Sequence, residues 1–290
     1  MQYGLDITAA GPWGRPDQIA ELAVRAERAG WDGVFCEDYL RFPGDGDPVD
    51  TYDVWITLAL IAAATSRVTL GPMVAALPRR RPWTVASQAV TVDHLSGGRL
   101  VLGVGIGDTE PTNFSTFGET GDLRRRAAML DESLDVITRL WSGAPVTFAG
   151  EHYELTDALL APRPVQSLRI PIWVGGTLSR PRPRRRALKW DGACLYRIPQ
   201  QDGWQDVTPD DVRSLRADVA DRPGGGDGYV VAVGGRERAS DSAGLRDDRA
   251  YVRALADAGV DWWHEYVPPR LTFDEACRRI DSGPLRAGDG

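Results

Sequence analysis

The chain has 290 residues, an apolar fraction of 42% and a formal net charge of −7. That is enough for one large α/β domain with a sizeable core, and the acidic balance argues against nucleic-acid binding without a local basic face. No stretch approaches the roughly 20 apolar residues of a membrane span, and the strand-like run at Tyr3 to Ile7 leads us to expect no secretory or transit leader. Cys36, Cys194 and Cys277 are too widely spaced for a thiolate metal site, and His94, His152 and His264 form no paired motif, so no metal is expected. The three cysteines point to a reducing cytoplasm, with Cys36 and Cys194 as small buried apolar residues within strands.

Gln2 to Ile7 reads as the first strand, with Asp6 near its exit. Ile19, Leu22, Ala23, Ala26 and Ala29 keep helical spacing, and Gly30 stops that helix. Val34-Phe35-Cys36 is the second strand and exits through Glu37-Asp38-Tyr39. Adjacent Glu37 and Asp38 project to opposite faces, so they are not a carboxylate pair. Tyr52 to Ala64 is helical. Arg67 to Ala76 is a third strand interrupted by Gly71-Pro72, which signals a bulge or a non-standard peptide because proline removes a ladder hydrogen bond. Pro82 to Leu95 is a helix that ends in Ser96-Gly97-Gly98-Arg99, with His94 expected to cap its own terminal carbonyls.

Leu100 to Val104 is a fourth strand, apolar on both faces. Gly103, Gly105 and Gly107 then remove side chains at its exit, either for a close helix contact or for a flat or phosphorylated ligand. Leu123 to Trp141 is a long amphipathic helix. Val146 to Leu155 reads as a small hairpin, an excursion between the fourth and fifth strands. Ile170 to Val174, Ala193 to Leu195, Tyr229 to Val233 and Val260 to Tyr266 complete the strands. They are separated by helices over Arg184 to Lys189, Pro209 to Asp221 and Asp248 to Ala258, and Thr272 to Ile280 closes the chain.

Eight strands alternating with about eight helices predict a (β/α)8 TIM barrel spanning residues 1–290 as a single domain, with function at the strand carboxyl ends. A doubly wound open sheet is the alternative, but Gly11 and Gly14, among prolines, do not fit its phosphate turn. Three arginine clusters, at 79–81, 124–126 and 180–186, read mainly as solvated charge; the third, after Gly175-Gly176, is the best placed for a phosphate.

Ala29-Gly30-Trp31-Asp32-Gly33, Ala62 to Gly71, Leu95-Ser96-Gly97-Gly98-Arg99 through Gly107, Ile170 to Gly176 and Ala258 to Trp263 together resemble the bacterial luciferase-like superfamily of flavin- and F420-dependent oxidoreductases. The resemblance implies FMN, or alternatively the deazaflavin F420, in a cleft at the strand ends, and a non-prolyl cis peptide at Met73-Val74 set against the ring. It also implies a wall formed by Gly105, Ile106, Gly107 and Asp108, with Asp6 nearby. The phosphate would be held by Gly175, Gly176 and Thr177, with Arg180 or Arg184 adding charge. Where many members have an Asp-His pair, this chain has Asp38-Tyr39, which removes a group that titrates near neutrality. Tyr39, Asp38 and His264 are the catalytic candidates; Tyr196 and Arg197 are further pocket candidates. The expected activity is monooxygenation of a small organic substrate with reduced FMN and O2, the flavin supplied by a separate reductase. F420-dependent hydride transfer and a catalytically degenerate flavin-binding barrel are the alternatives. A cytoplasmic homodimer is implied, and the loops at 41–50, 109–121 and 198–208 are expected to shape the substrate pocket.

Overall fold

The computed structural model describes residues 1–43, 49–109, 111–178, 180–197 and 205–288. In chain order the elements are β1 (Gln2–Thr8), α1 (Pro16–Arg28), β2 (Gly33–Glu37), α2 (Val54–Ala64), β3 (Thr69–Pro72), β4 (Ala75–Ala76), α3 (Pro82–Ser96), β5 (Leu102–Gly105), α4 (Leu123–Leu140), β6 (Val146–Ala149) and β7 (Glu154–Ala158). There follow β8 (Ile172–Thr177), α5 (Pro181–Ala187), β9 (Gly192–Tyr196), α6 (Pro209–Ala220), β10 (Val230–Glu237), α7 (Ser242–Asp257), β11 (Trp262–Val267) and α8 (Phe273–Asp281).

Nine strand segments form one sheet in the order β3-β2-β1-β11-β10-β9-β8-β5-β4, with every pairing parallel. β3 and β4 are halves of one stave, separated by Met73 and Val74. Leu70 on the first half bridges to Leu100, and Ala75 on the second pairs with Val104, so the ring closes. The architecture is thus the eight-staved (β/α)8 barrel, and the antiparallel β6–β7 hairpin lies outside it, between the fourth and fifth staves.

Repeated aspartates in the helix-to-strand joints fix the register. Asp32 accepts from the Tyr3 amide (2.9 Å), Asp191 from that of Ile172 (2.7 Å) and Asp261 from that of Val231 (2.7 Å). Each carboxylate sits at the entry of one strand and satisfies an amide at the start of its neighbour, which would otherwise lack a partner. The Ser-Gly-Gly-Arg turn works in the same way. Gly97 and Gly98 take positive φ and return their amides to His94 and Asp93, which ends α3. Arg99 then donates to the carbonyls of Ala62, Thr65 and Val68, tying the end of α2 to the start of β3.

Two helix starts and one capping contact differ from the sequence expectation in an instructive way. α7 begins at Ser242, six residues earlier than its apolar spacing indicates, because Asp241 caps the Ala243 and Gly244 amides. α5 begins at Pro181, three residues early, since proline is well suited to a first helical position. His94 does not cap its own helix; its Nε2 meets the Arg163 carbonyl at 2.8 Å, in the segment after the hairpin.

Candidate active site

Strand alternation builds the interior in layers. Phe35, Met73, Val101, Trp173, Ala232 and Trp262 fill the lower barrel as one buried cluster. Above it, at the strand carboxyl ends, opens a cavity of about 380 Å³, within the range of small-molecule sites. Asp6, Glu37, Asp38, Tyr39, Met73, Val74, Gly105, Ile106, Gly107, Asp108, Gly175 and Gly176 all line it, as do Cys194, Tyr196, Gly234, Gly235 and Tyr266.

The Met73–Val74 peptide is cis. Its neighbours are glycine for a packing reason. A Cβ on Gly105 would stand 2.7 Å from Val74, one on Gly175 2.8 Å from Val74, and one on Gly103 2.2 Å from the Pro72 carbonyl. Gly103 therefore makes room for the irregular stave rather than for a ligand. Gly105, Gly107, Gly175, Gly176, Gly234 and Gly235 present bare backbone at three strand ends, beside apolar Met73, Val74 and Ile106. Such a surface fits a planar tricyclic ring: flat apolar contact on one side, and polar groups from Asp6, Glu37 and Tyr39 at the edge.

Asp38 is buried and fully committed. Arg80 binds its two oxygens at 2.7 and 3.1 Å, Arg79 reaches one at 2.9 Å, and the Ala76 amide donates at 3.0 Å. Burial works against its charge, but the two guanidiniums and the amide outweigh it and hold the carboxyl below its usual range. Its place is therefore that of an anchor for the strand-two exit. This also corrects part of the first arginine cluster: the Arg79 side chain is buried and that of Arg80 half-buried beside Asp38, whereas Arg81 is exposed. In the second cluster Arg126 is buried, stacks 3.2 Å from the Phe114 ring centroid and donates to the Asp108 and Thr120 carbonyls.

Glu37 shares its strand face with Phe35 and Tyr39. Its carboxylate lines the cavity and accepts from the Thr8 hydroxyl. Loss of hydration pushes the carboxyl up to about 7, the Thr8 bond opposes this and the Asp6 charge adds to it. Glu37 is thus the lining residue able to move a proton near neutral pH. Alternation from Phe35 was the available signal for it. Tyr266, pushed up to about 12 mainly by burial, stands beside it, and burial also raises Tyr39.

His264 is fully buried and does not line the cavity. Its ring stacks on Phe35 (4.4 Å, 15°) and its Nδ1 lies 3.0 Å from Asp6. Asp6 is the lining residue of that pair. Cys194, expected as core, is half-buried and lines the cavity. Gly175 and Gly176 line it too, whereas Thr177 and exposed Arg180 stand beyond the lining. Two of the first three residues of α5, Pro181 and Pro183, have no N–H, so the helix start offers an anion fewer donors than the sequence reading assumed. Arg184 bonds Ser214 and Asp218, and Arg186 bonds Asp131. Tyr196 lines the cavity and Arg197 does not.

Asn113 fastens the mouth. Its side-chain oxygen accepts from the Leu40 and Arg41 amides (2.9 and 3.0 Å), and its nitrogen donates to the Arg41 carbonyl and to Asp108 (3.0 and 3.1 Å). Of the loops expected to shape the pocket, residues 44–48, 110 and 198–204 lie outside the described residues. Among the described residues no cluster of side chains suits a metal ion, and no helix is long and apolar enough to cross a membrane.

A family model described as luciferase-like monooxygenase matches residues 3–189. The chain belongs to this family, within the bacterial luciferase-like superfamily of flavin- and F420-dependent oxidoreductases. It is 36% identical over 165 residues to an F420-dependent glucose-6-phosphate dehydrogenase of Nakamurella multipartita, which covers 56% of this chain and 47% of the relative. It is 42% identical over 149 residues to the 4-hydroxyprotoasukamycin monooxygenase of Streptomyces nodosus subsp. asukaensis, 50% of this chain and 39% of that one. The chain thus spans about half the length or less of these curated relatives. The solved coenzyme F420-dependent tetrahydromethanopterin reductase of Methanopyrus kandleri shares the fold over 97% of both chains, with a TM-score of 0.70 and 19% identity. Monooxygenase RslO1 of Streptomyces bottropensis does so over 97% and 96%, with a TM-score of 0.71 and 20% identity.

Proposed function

We propose that this chain is an F420-dependent oxidoreductase that exchanges a hydride with a small organic substrate, with Glu37 moving the accompanying proton. The observation that carries the reading is the Glu37 carboxyl, poised at about 7 on the cavity wall. A carbon that gives up a hydride beside a hydroxyl also gives up the hydroxyl proton, and a base near neutrality takes it. Bound F420 would supply the two-electron hydride acceptor. Backbone at Gly105–Gly107, Gly175–Gly176 and Gly234–Gly235, with Met73 and Val74, would hold its ring, and Tyr39 and Asp6 would orient the substrate edge. Recurrence of F420 dependence among the curated relatives supports this choice over FMN.

Oxygenation with reduced FMN is the second reading, supported by the 42% identity to a monooxygenase. Titration of the purified protein with F420 and with FMN, read by cofactor fluorescence and thermal stability, separates the two. The expected result is F420 bound at least about tenfold more tightly than FMN; the reverse order would transfer the assignment to the second reading, and stabilisation by neither would leave a barrel without a redox cofactor.

A further inference from the structure

Glu37 is held from behind. β11, β1 and β2 are neighbours in the barrel, and their exits place Tyr266, Thr8 and Glu37 in a row: Tyr266 stands opposite Asp6, and Thr8 opposite Glu37. Glu37 and Tyr266 line the cavity, whereas Thr8 does not and is only 1% exposed. The Thr8 hydroxyl donates to Glu37 Oε2 and also bonds the Tyr266 phenol. A threonine hydroxyl has one proton, and Glu37 takes it, so the phenol is the donor in the second bond. Glu37 Oε1 has no hydrogen-bond partner among the described residues. The other titratable groups facing Glu37 are Asp6 on β1, Tyr266 on β11, and Cys36 and Tyr39 beside it in the chain, none of them a cation. Burial and Asp6 both oppose the Glu37 charge, and the Thr8 bond favours it.

We propose that Thr8 is the positioning residue of this site: from behind the wall its hydroxyl fastens Glu37 Oε2 and the Tyr266 phenol, so that Oε1 is the oxygen turned to the substrate and the one that takes its proton. Without that bond the carboxylate turns about its terminal torsions, and a base that loses its aim loses rate even where its chemistry is intact. Thr8 itself touches neither substrate nor cofactor, and its own proton stays on its oxygen. The proposal rests on the hydride-transfer reading for what Glu37 does with the proton, while the hold of Thr8 on the carboxyl is a property of the protein alone.

The test follows the Glu37 carboxyl by carbon NMR in the full chain without cofactor, its resonance assigned with Glu37→Gln. In the wild type it should titrate near 7. Thr8→Val keeps the side chain's shape and removes the hydroxyl. It should move the midpoint up by about 1–2 pH units, as expected for loss of a hydrogen bond to a charged group, and Thr8→Ser should bring it back. If Thr8→Val does not fold, Thr8→Ala carries the same expectation, and Tyr266→Phe, which reads the link from its other end, should move the midpoint the same way by less. A midpoint unchanged on loss of the Thr8 hydroxyl, or a Thr8→Ser chain that titrates with Thr8→Val rather than with the wild type, would overturn the proposal. In a parallel arm with F420, cofactor fluorescence unaffected by the protein would instead remove the hydride-transfer reading, with the role of Thr8 still read from the cofactor-free titration.

Discussion

His264 Nδ1 lies 3.0 Å from Asp6 Oδ1, joining the last stave of the barrel to the first beneath the cavity. The bond is tightly surrounded. A Cβ on Gly4 would come within 3.0 Å of the imidazole, and one on Gly234 within 2.5 Å of His264 Cβ and 3.1 Å of Asp6. Its Nε2 has no hydrogen-bond partner among the described residues, so Nδ1 is the ring nitrogen that donates, to Asp6.

Replacing His264 by Phe keeps a ring against Phe35 and removes the donor to Asp6. We expect a loss of about 1–3 kcal/mol in urea unfolding, the cost of a buried polar group left unpaired. An unchanged midpoint would mean that Asp6 is satisfied from the cavity side.

The Glu37 carboxyl sits at about 7 against an ordinary 4.5. As a base it acts when ionised, so kcat/KM for alcohol oxidation should rise with pH through about 7 and level off above it. Glu37→Gln should abolish that limb and lower the rate by about 10²–10⁴. Stability carries the opposite sign. The folded form favours the proton, so Glu37 costs stability progressively as pH rises from 4.5 through about 7. Glu37→Gln should therefore gain on the wild type in thermal unfolding at pH 8 relative to pH 4.

Asp38→Ala would leave buried Arg79 and half-buried Arg80 without their counter-charge. Breaking a buried pair on one side costs about 3–5 kcal/mol, and denaturant titration should show it. A loss below about 1 kcal/mol would indicate that the two arginines reach solvent.

Gly107 and Gly118 share nearly the same φ, +78° and +80°, but a Cβ on Gly107 would stand 2.3 Å from the Phe114 ring whereas Gly118 has open space. Gly118→Ala should cost about 1 kcal/mol, for backbone conformation alone. Gly107→Ala should cost about 1–3 kcal/mol more through overpacking, and should disturb the Arg126 stack on Phe114. Equal losses in paired denaturation curves would contradict the packing account.

Much of the barrel is written locally. The Asp32, Asp191 and Asp261 joints and the Gly97-Gly98-Arg99 turn announce helix ends and strand starts, and the Gly71-Pro72 interruption marks the broken stave. What the chain does not display is which side chains meet over long separations. Arg79 and Arg80 read as solvated because Asp38 lies some forty positions away. Arg126 reads as helix charge until Phe114 and Thr120 are placed beside it. His264 reads as the end of its strand, yet β11 runs on to Val267 and leaves it mid-strand, its ring stacked on Phe35. Glu37 and Asp38 could not be told apart by type. Both line the cavity, and which of the two meets the paired arginines was not legible.

Trp173 and Trp262, in tilted and edge-on contact with Phe35 in the buried cluster below the site, give the molecule an optical reporter of its own. Excited indole emits where deazaflavins and flavins absorb, so a ring resting on that floor would draw off the emission of these two tryptophans first. The barrel's core would then register occupancy of its own mouth, with no label added.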